Sequence, residues 1–524
     1  LRRSCSAIWV IDCSPEGHQP DVSSRIFQGV QHPVCIVLAA RKFGKSDKIP
    51  APVKFYALPE GRRQEKFAAL AALSLAGSFW EDGADDWRAP FLPAAKGEWA
   101  KFPRLQMLFD FAGPGVMPGR TWVISPDRET LILRWNRLRN EPDDSRKEEF
   151  FHPQLRKGKV ASRHIRKVVE QDLGKIVTRK ISVRADKGEC PEPLRYAFRS
   201  FDRQWVIGDA RLLNDPRPNL WTAYSAAQVY LTALEAHSPS SGPSLSFSGS
   251  IPDQHHYKGS FGGRVYPLWA DAQAQKPNIS AEALELLAAT FGAPVSAEDL
   301  FAYIAAVMAH PAFTARFAGD LVRPGLRLPL TADAALFQRA VALGREVVWL
   351  HCHGERFADP LAGRPKGPPR LPKAQAPTIP EDGAIPPAPE PLPDDMSYDP
   401  ASRRLRVGKG FVDHVTPAMW DYEISGKKVL WQWFSYRRRD RSKPIIGDRR
   451  PPSPLEKIQP EGWLPEYTTD LLDLLNVLGL VIALEPEQAE LLDEIGAGPL
   501  VPVAALRAAG LFESASANGE VGED

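Results

Sequence analysis

Twelve prolines fall between residues 359 and 397. Each one fixes its own φ and removes a backbone donor, so neither a helix nor a sheet can run through the stretch, and a semi-extended connector is expected there. The chain has to organise its cores on either side of that connector. With 524 residues it is too long for one ordinary core, and 43% hydrophobic residues are enough for two or three. A mixed α/β multidomain architecture is expected.

Three β-rich apolar runs, IWVID, VCIVLAA and VKFYAL, lie between residues 8 and 58, separated by loops rich in Pro and Gly. They read as late strands of a sheet. The chain has no initiator Met and no leader-like apolar segment before Ile8, which reads as a start inside a domain. A helical stretch, GRRQEKFAALAALSL, follows, and then RTWVISPDRETLILRW, read as two short strands around a Pro-Asp turn. Between Leu155 and Lys187 there are eleven Lys or Arg against three Asp or Glu. That makes the segment a candidate grip for a polyanion. Residues 194–270 read as strands and ordered loop. From Ser280 the pattern becomes Ala/Leu-rich, with helix starts expected at Ser280, Ser296 and Thr331 and a capping box at Ser296 and Asp299. Beyond the connector come KKVLWQWFSY, read as an alternating strand, a basic loop RRRDRSKPIIGDRR, and leucine-rich helices from Thr469 to Ile495.

The formal charge is only +2, so affinity for a polyanion has to come from local clusters. Five cysteines without a CxxC pair argue against a disulfide framework or a zinc ribbon and fit a reducing cytoplasm. The apolar run LLNVLGLVIAL from Leu474 is half the ~20 residues a bilayer requires, so no membrane span is expected.

The glycines of FAGPG at 111–115 have the spacing of a methyl-donor loop. Such a loop must enter a helix whose first amides face the ligand, and Pro118 and Gly119 would stop that helix, so a turn is expected instead. FGKS at 43–46 lacks the first Gly of a phosphate loop. HCH at 351–353 reads as a helix end, because three consecutive residues do not readily share one tetrahedral metal. DQHHYKG from Asp253 places His255 and His256 in an irregular segment and reads as loop contact, not catalysis. The basic run from Arg437 to Arg450 follows Trp431, Trp433, Phe434 and Tyr436, a combination suited to phosphate positioning and guanine edges.

Several stretches together resemble the C-terminal part of type ISP restriction–modification enzymes: LFDFAGPGVMPGRTWVISPDRETLILRW, FRSFDRQW, GSIPDQHHYKGSFGGRVYPLW, the helical stretch LFAYIAAVMAHPAF and its continuation, and GKKVLWQWFSYRRRDRSKPIIGDRRPPSPL. The likeness runs from about residue 8 to 510, with Phe198 and Ser200 as departures from the family's pattern. It implies the C-terminal edge of a Rossmann-like methyltransferase sheet followed by an α+β target-recognition domain. The implied boundaries are a methyltransferase remnant with connector at 1–150, a basic linking segment at 151–187, a specificity domain at 188–515 containing the linker 359–397, and a disordered acidic tail at 516–524. The family's cofactor loop and Asn-Pro-Pro-Tyr motif would lie upstream; NDPRP at 214–218 does not fit that motif. The resemblance therefore implies no catalytic residue and no cofactor in this chain. S-adenosylmethionine, and ATP with Mg for translocation and cleavage, would belong to the full-length enzyme. The implied partners are double-stranded DNA and the upstream methyltransferase, helicase and nuclease domains, in the cytoplasm. The expected DNA-facing residues are Arg199, Arg203, His255, His256, Lys258, Arg264, Arg437, Arg449 and Arg450. The bland reading of each is a structural surface charge or a loop-fixing hydrogen bond; Trp205, Tyr266 and Trp269 read as anchors of core or loop. Two other classes stay open: a self-contained methyltransferase using 111–115, and a scaffold that binds only its upstream domains.

Overall fold

The computed structural model describes residues 1–16, 25–27, 30, 33–43, 49–83, 91–156, 159–160, 163–174, 176, 178–235, 239, 241–257, 263–321, 325–440 and 450–511. The chain separates into two compact units, Leu1–Phe102 and Pro103–Leu511. Residues 103–150, grouped with the N-terminal part in the sequence reading, make their contacts inside the second unit. The tail 516–524 lies outside the described residues.

In the first unit the apolar runs form a four-stranded sheet in the order Cys35–Ala40, Ala7–Asp12, Val53–Ala57, Glu81–Asp82. The two central strands are parallel and the outer two antiparallel. Side chains alternate across a strand. Ile8, Val10, Val53 and Phe55 accordingly gather in one core cluster, while Ile11, Cys13 and Leu58 gather in another. The helix Arg63–Ala71 carries a fully buried Lys66, whose ammonium is held by Glu16 at 2.7 Å and the Cys13 carbonyl at 2.9 Å.

The second unit joins small sheets to a helical layer. One sheet has the order Ile251–Pro252, Pro193–Arg199, Asp202–Ile207, Ile124–Ser125; another has Leu245–Ser248, Tyr230–Ala233, Arg264–Pro267, Gly113–Pro114. The FAGPG glycines are accounted for here by backbone approach. A Cβ on Gly115 would sit 2.6 Å from the Asp253 backbone, where Val116 pairs with Asp253, and Gly119 turns at φ +69° against Asn214. The next helix begins only at Arg128. It replaces the second strand expected in this stretch, because Asp127 of the Pro-Asp pair accepts from the Thr130 amide and caps the helix.

Helices Ala281–Phe291 and Ala297–Met308 follow Ser280 and Ser296 as expected, with the capping box at Ser296 and Asp299 present. The third helix, Ala334–His351, starts two residues later than expected, because Asp333 rather than Thr331 accepts from the Ala335 and Leu336 amides. Gly344 lets this helix lie against Ala302, whose carbonyl would be 1.7 Å from an added Cβ. KKVLWQWFSY is a correction to the sequence reading: its core is the helix Val429–Phe434, with Val429, Leu430, Trp433 and Phe434 buried.

The leucine-rich region is one 33-residue helix, Pro465–Ala497, the spine of a large core cluster. Among the described residues it alone is long and apolar enough to cross a membrane, and 50% of its apolar window is buried within the fold. The proline-rich stretch is a strap and not a spacer. Before the strand Met396–Asp399 it holds only the short turns Pro360–Ala362 and Glu381–Gly383 and isolated bridges, yet Ile385 and Leu392 are buried in that same cluster and Leu371 donates to Asn476 of the spine at 2.8 Å.

Candidate nucleic-acid interface

The hairpin Pro193–Arg199 and Asp202–Ile207 turns through Ser200 and Phe201, the latter at φ 61°. Most of its polar side chains point into the fold: Tyr196, Arg199, Ser200, Asp202 and Gln204 are buried, and Arg195 and Arg203 are half-buried. The Arg199 guanidinium lies 3.8 Å from the Phe198 ring centre and pairs with Asp253 at 3.2 Å; Asp253 also accepts from the Tyr196 hydroxyl at 2.7 Å. Arg203 pairs with Glu355 at 2.7 Å, and Arg195 lies 4.2 Å above Trp205.

Arg437 is completely buried. Its Nη1 donates to Asp202 and to the Trp433 carbonyl, both at 2.9 Å, its carbon plane stacks 3.9 Å from Trp433, and Asp470 of the spine lies 4.0 Å away. Burial raises the Asp202 pKa, and the neighbouring guanidinium opposes that rise. The residue roots the basic stretch that follows it. The far end is rooted as well, by Arg450 donating to the Pro153 carbonyl at 2.8 Å and Ser453 donating to the Phe150 carbonyl at 2.6 Å.

His256 is buried between the Ser246 hydroxyl at 3.2 Å and the Ala197 carbonyl at 3.0 Å, and burial pushes it down to about 4. His351 accepts from the Phe247 amide at 3.2 Å, and burial pushes it to about 3; buried His353 is held well below its ordinary value by the same cause, helped by Arg203. These rings are neutral interior groups. His351 closes the helix Ala334–His351 and His353 follows it at φ 53°, the helix end expected of HCH.

The nine residues expected to face DNA thus divide. Arg199, His256 and Arg437 are interior, a correction whose cause is in each case a partner distant in sequence that removes the side chain from solvent. Arg203 and Arg264 are mostly covered and paired, Arg264 with Glu235 at 3.6 Å. His255 is half-buried, its amide donating to Asp253, and Arg450 is half-buried at the loop root. Lys258 and Arg449 lie outside the described residues. Of the expected anchors, Tyr266 is fully buried with its hydroxyl on Glu235, and Trp205 packs against the core.

An open cavity of about 420 Å³ beside the hairpin is lined by Arg195, Arg203 and Lys366, but also by Glu355, Glu466 and Asp470. Its mixed charge suits no polyanion. The basic segment does better. Arg166, Lys167, Lys180, Arg184 and Lys187 are all exposed. Asp144 gathers Arg166 at 3.1 Å and Arg184 at 2.7 Å, and the two guanidiniums hold its pKa below the ordinary value. Lys187 sits close enough to disfavour the Lys147 charge, which burial already lowers. Lys167, Lys180 and Lys187 form no ion pair among the described residues. The residue-by-residue expectation passed over these five; the charge count of the segment was the signal that marked them.

The family profile described as the type ISP C-terminal specificity domain matches residues 107–473. No curated protein sequence matches the chain. Solved structures that share the fold include the following three. The cryoEM structure of a DrdV–DNA complex gives a TM-score of 0.50 at 17% identity, covering 94% of this chain and 48% of that one. A nuclease-deletion mutant of the type ISP restriction–modification enzyme LlaGI with a DNA substrate mimic gives 0.50 at 14%, covering 94% and 37%. The ATP-dependent type ISP enzyme LlaBIII bound to DNA gives 0.53 at 12%, covering 96% and 31%. The chain spans about half or less of the length of each.

Proposed function

Because the chain belongs to the family of type ISP C-terminal specificity domains, we propose that its second unit recognises duplex DNA, sequence-specifically, on behalf of a restriction–modification enzyme. The observation that carries the reading is the set of exposed cations Arg166, Lys167, Lys180, Arg184 and Lys187 in one basic segment, on a protein with almost no net charge. The solved relatives, which are DNA complexes, support it.

In this reading the first unit is the far part of an adenine methyltransferase sheet. An enzyme that modifies N6 must take the base out of the stack, and a separate surface then has to hold the duplex in register. Phosphate contacts position that duplex while groove contacts read it. S-adenosylmethionine, and ATP with Mg, would be bound by other parts of the enzyme, and this chain supplies no catalytic residue.

Replacing Lys167, Lys180 and Lys187 together by alanine is expected to weaken duplex binding for every sequence and to flatten the plot of log affinity against log salt by about 2 to 3 units. Fluorescence anisotropy at several salt concentrations measures this. An unchanged slope would remove the segment from the interface.

A further inference from the structure

The sheet of the first unit ends differently at its two edges. One edge is Glu81–Asp82, two acidic residues with Lys54 across from Asp82 at 2.6 Å. A short, charged strand is how proteins terminate a sheet. The other edge is Cys35–Ala40, six residues without a charge, paired on one side with Ala7–Asp12 and on the other with nothing among the described residues.

Its side chains are exposed almost throughout, Val37 by 40% and Leu38 by 41%. Neighbouring residues on a strand point to opposite faces, so the Val37 face is open throughout and the Leu38 face is open beyond Ile36, which packs against the Ile11 cluster. An uninterrupted apolar run is the composition of a strand covered on both faces inside an α/β sheet, and the parallel pairing of Ala7–Asp12 with Val53–Ala57 marks a sheet of that kind. Left bare, such an edge is a template for pairing with another chain.

We propose that Cys35–Ala40 is an interior strand of a larger sheet, and that its free edge takes a β-strand from the methyltransferase region of a longer polypeptide, whose apolar side chains cover Val37 on one face and Leu38 on the other. The proposal rests on the reading of the first unit given above. What points to this occupant is length: the solved relatives share the fold over 94–96% of this chain, which spans only 31–48% of theirs.

Hydrogen exchange tests it, comparing the 524-residue chain with the longer polypeptide. The amides of 35–40 that do not bond to Ala7–Asp12 are expected to exchange at least about 100-fold more slowly in the longer polypeptide. In that polypeptide the Val37→Lys, Leu38→Lys double variant is expected to lose most of this protection. Equal exchange in both proteins overturns the proposal. So does full protection in the double variant, or protection in the short chain that vanishes on dilution, which would make a second copy the occupant. Methyl transfer to DNA by the longer polypeptide is followed in parallel. Methylation with no protection at 35–40 sinks this inference alone, whereas protection without methylation sinks the methyltransferase reading.

Discussion

Arg437→Ala is expected to destabilise the second unit by about 3–5 kcal/mol, the usual consequence of leaving one member of a buried ion pair behind. The orphan is the Asp202 carboxylate. It is 1% exposed, and with the guanidinium gone its remaining side-chain hydrogen bond is the one from Gln204 at 2.6 Å. The loss is compounded by the Trp433 stack, which ends against an empty space. A second variant separates charge from packing. Arg437→Met with Asp202→Asn removes both charges and keeps most of the volume, and is expected to recover more than half of the loss. Urea unfolding followed by tryptophan fluorescence gives both numbers. A single-variant loss under about 1 kcal/mol would mean that the pair is solvated and that Arg437 is a surface residue after all. In the folded fraction, Arg437→Ala is expected to leave the salt dependence of DNA binding unchanged, because an interior guanidinium releases no counterions from phosphate.

Acid is expected to unfold the second unit well before its carboxylates lose their partners. Burial holds His256 at about 4, His351 at about 3, His310 at about 4 and His353 well below its ordinary value, whereas each titrates near 6.5 once unfolded. Below pH 6.5 the unfolded chain therefore binds more protons than the folded one. The stability these rings confer is complete above that pH and falls by up to about 1.4 kcal/mol per pH unit for each, until the folded ring itself protonates. Several carboxyls oppose them. Burial raises Glu485 to about 7 and also holds Asp110, Asp202, Glu235, Glu346, Glu456 and Glu466 above their ordinary values, so the contribution of each is complete below its unfolded value and is lost as pH rises through the folded one. Glu485 cancels about one histidine between pH 7 and 4.5 and the other raised carboxyls cancel part of the rest, leaving a net loss of stability as pH falls. The urea midpoint measured from pH 7.5 to 5 is expected to fall steadily, and His353→Gln to flatten the fall. A constant midpoint would show that the rings are hydrated.

Much of the fold is legible in the sequence where one local rule decides. The runs at 8–58 are strands because β-branched and aromatic residues dominate them, and Ser296 with Asp299 starts a helix because the capping box is a purely local device. KKVLWQWFSY is ambiguous: alternation marks Val429, Trp431 and Trp433, while a helical stripe marks Val429, Leu430, Trp433 and Phe434, and burial of the stripe against the spine selects the helix. The connector was expected from its prolines. That Ile385 and Leu392 fasten it down depends on a helix some 80 residues further on.

The interface is less legible for an electrostatic reason. A cluster of arginines announces positive charge, but whether a given guanidinium meets solvent depends on carboxylates far away in sequence. Asp202 takes Arg437 from 235 residues away, and Asp253 takes Arg199 from 54. The lysines at 167, 180 and 187 stay exposed because no described carboxylate reaches them, and only the segment's charge count forecasts that.

Selection of duplexes from a random-sequence library by the purified chain, at a salt concentration high enough to suppress nonspecific phosphate contacts, tests the central claim most directly. The account predicts enrichment of one short motif, bound at least about 1,000-fold more tightly than unrelated duplex. Recovery of unenriched sequences, or no binding at low salt, would contradict it.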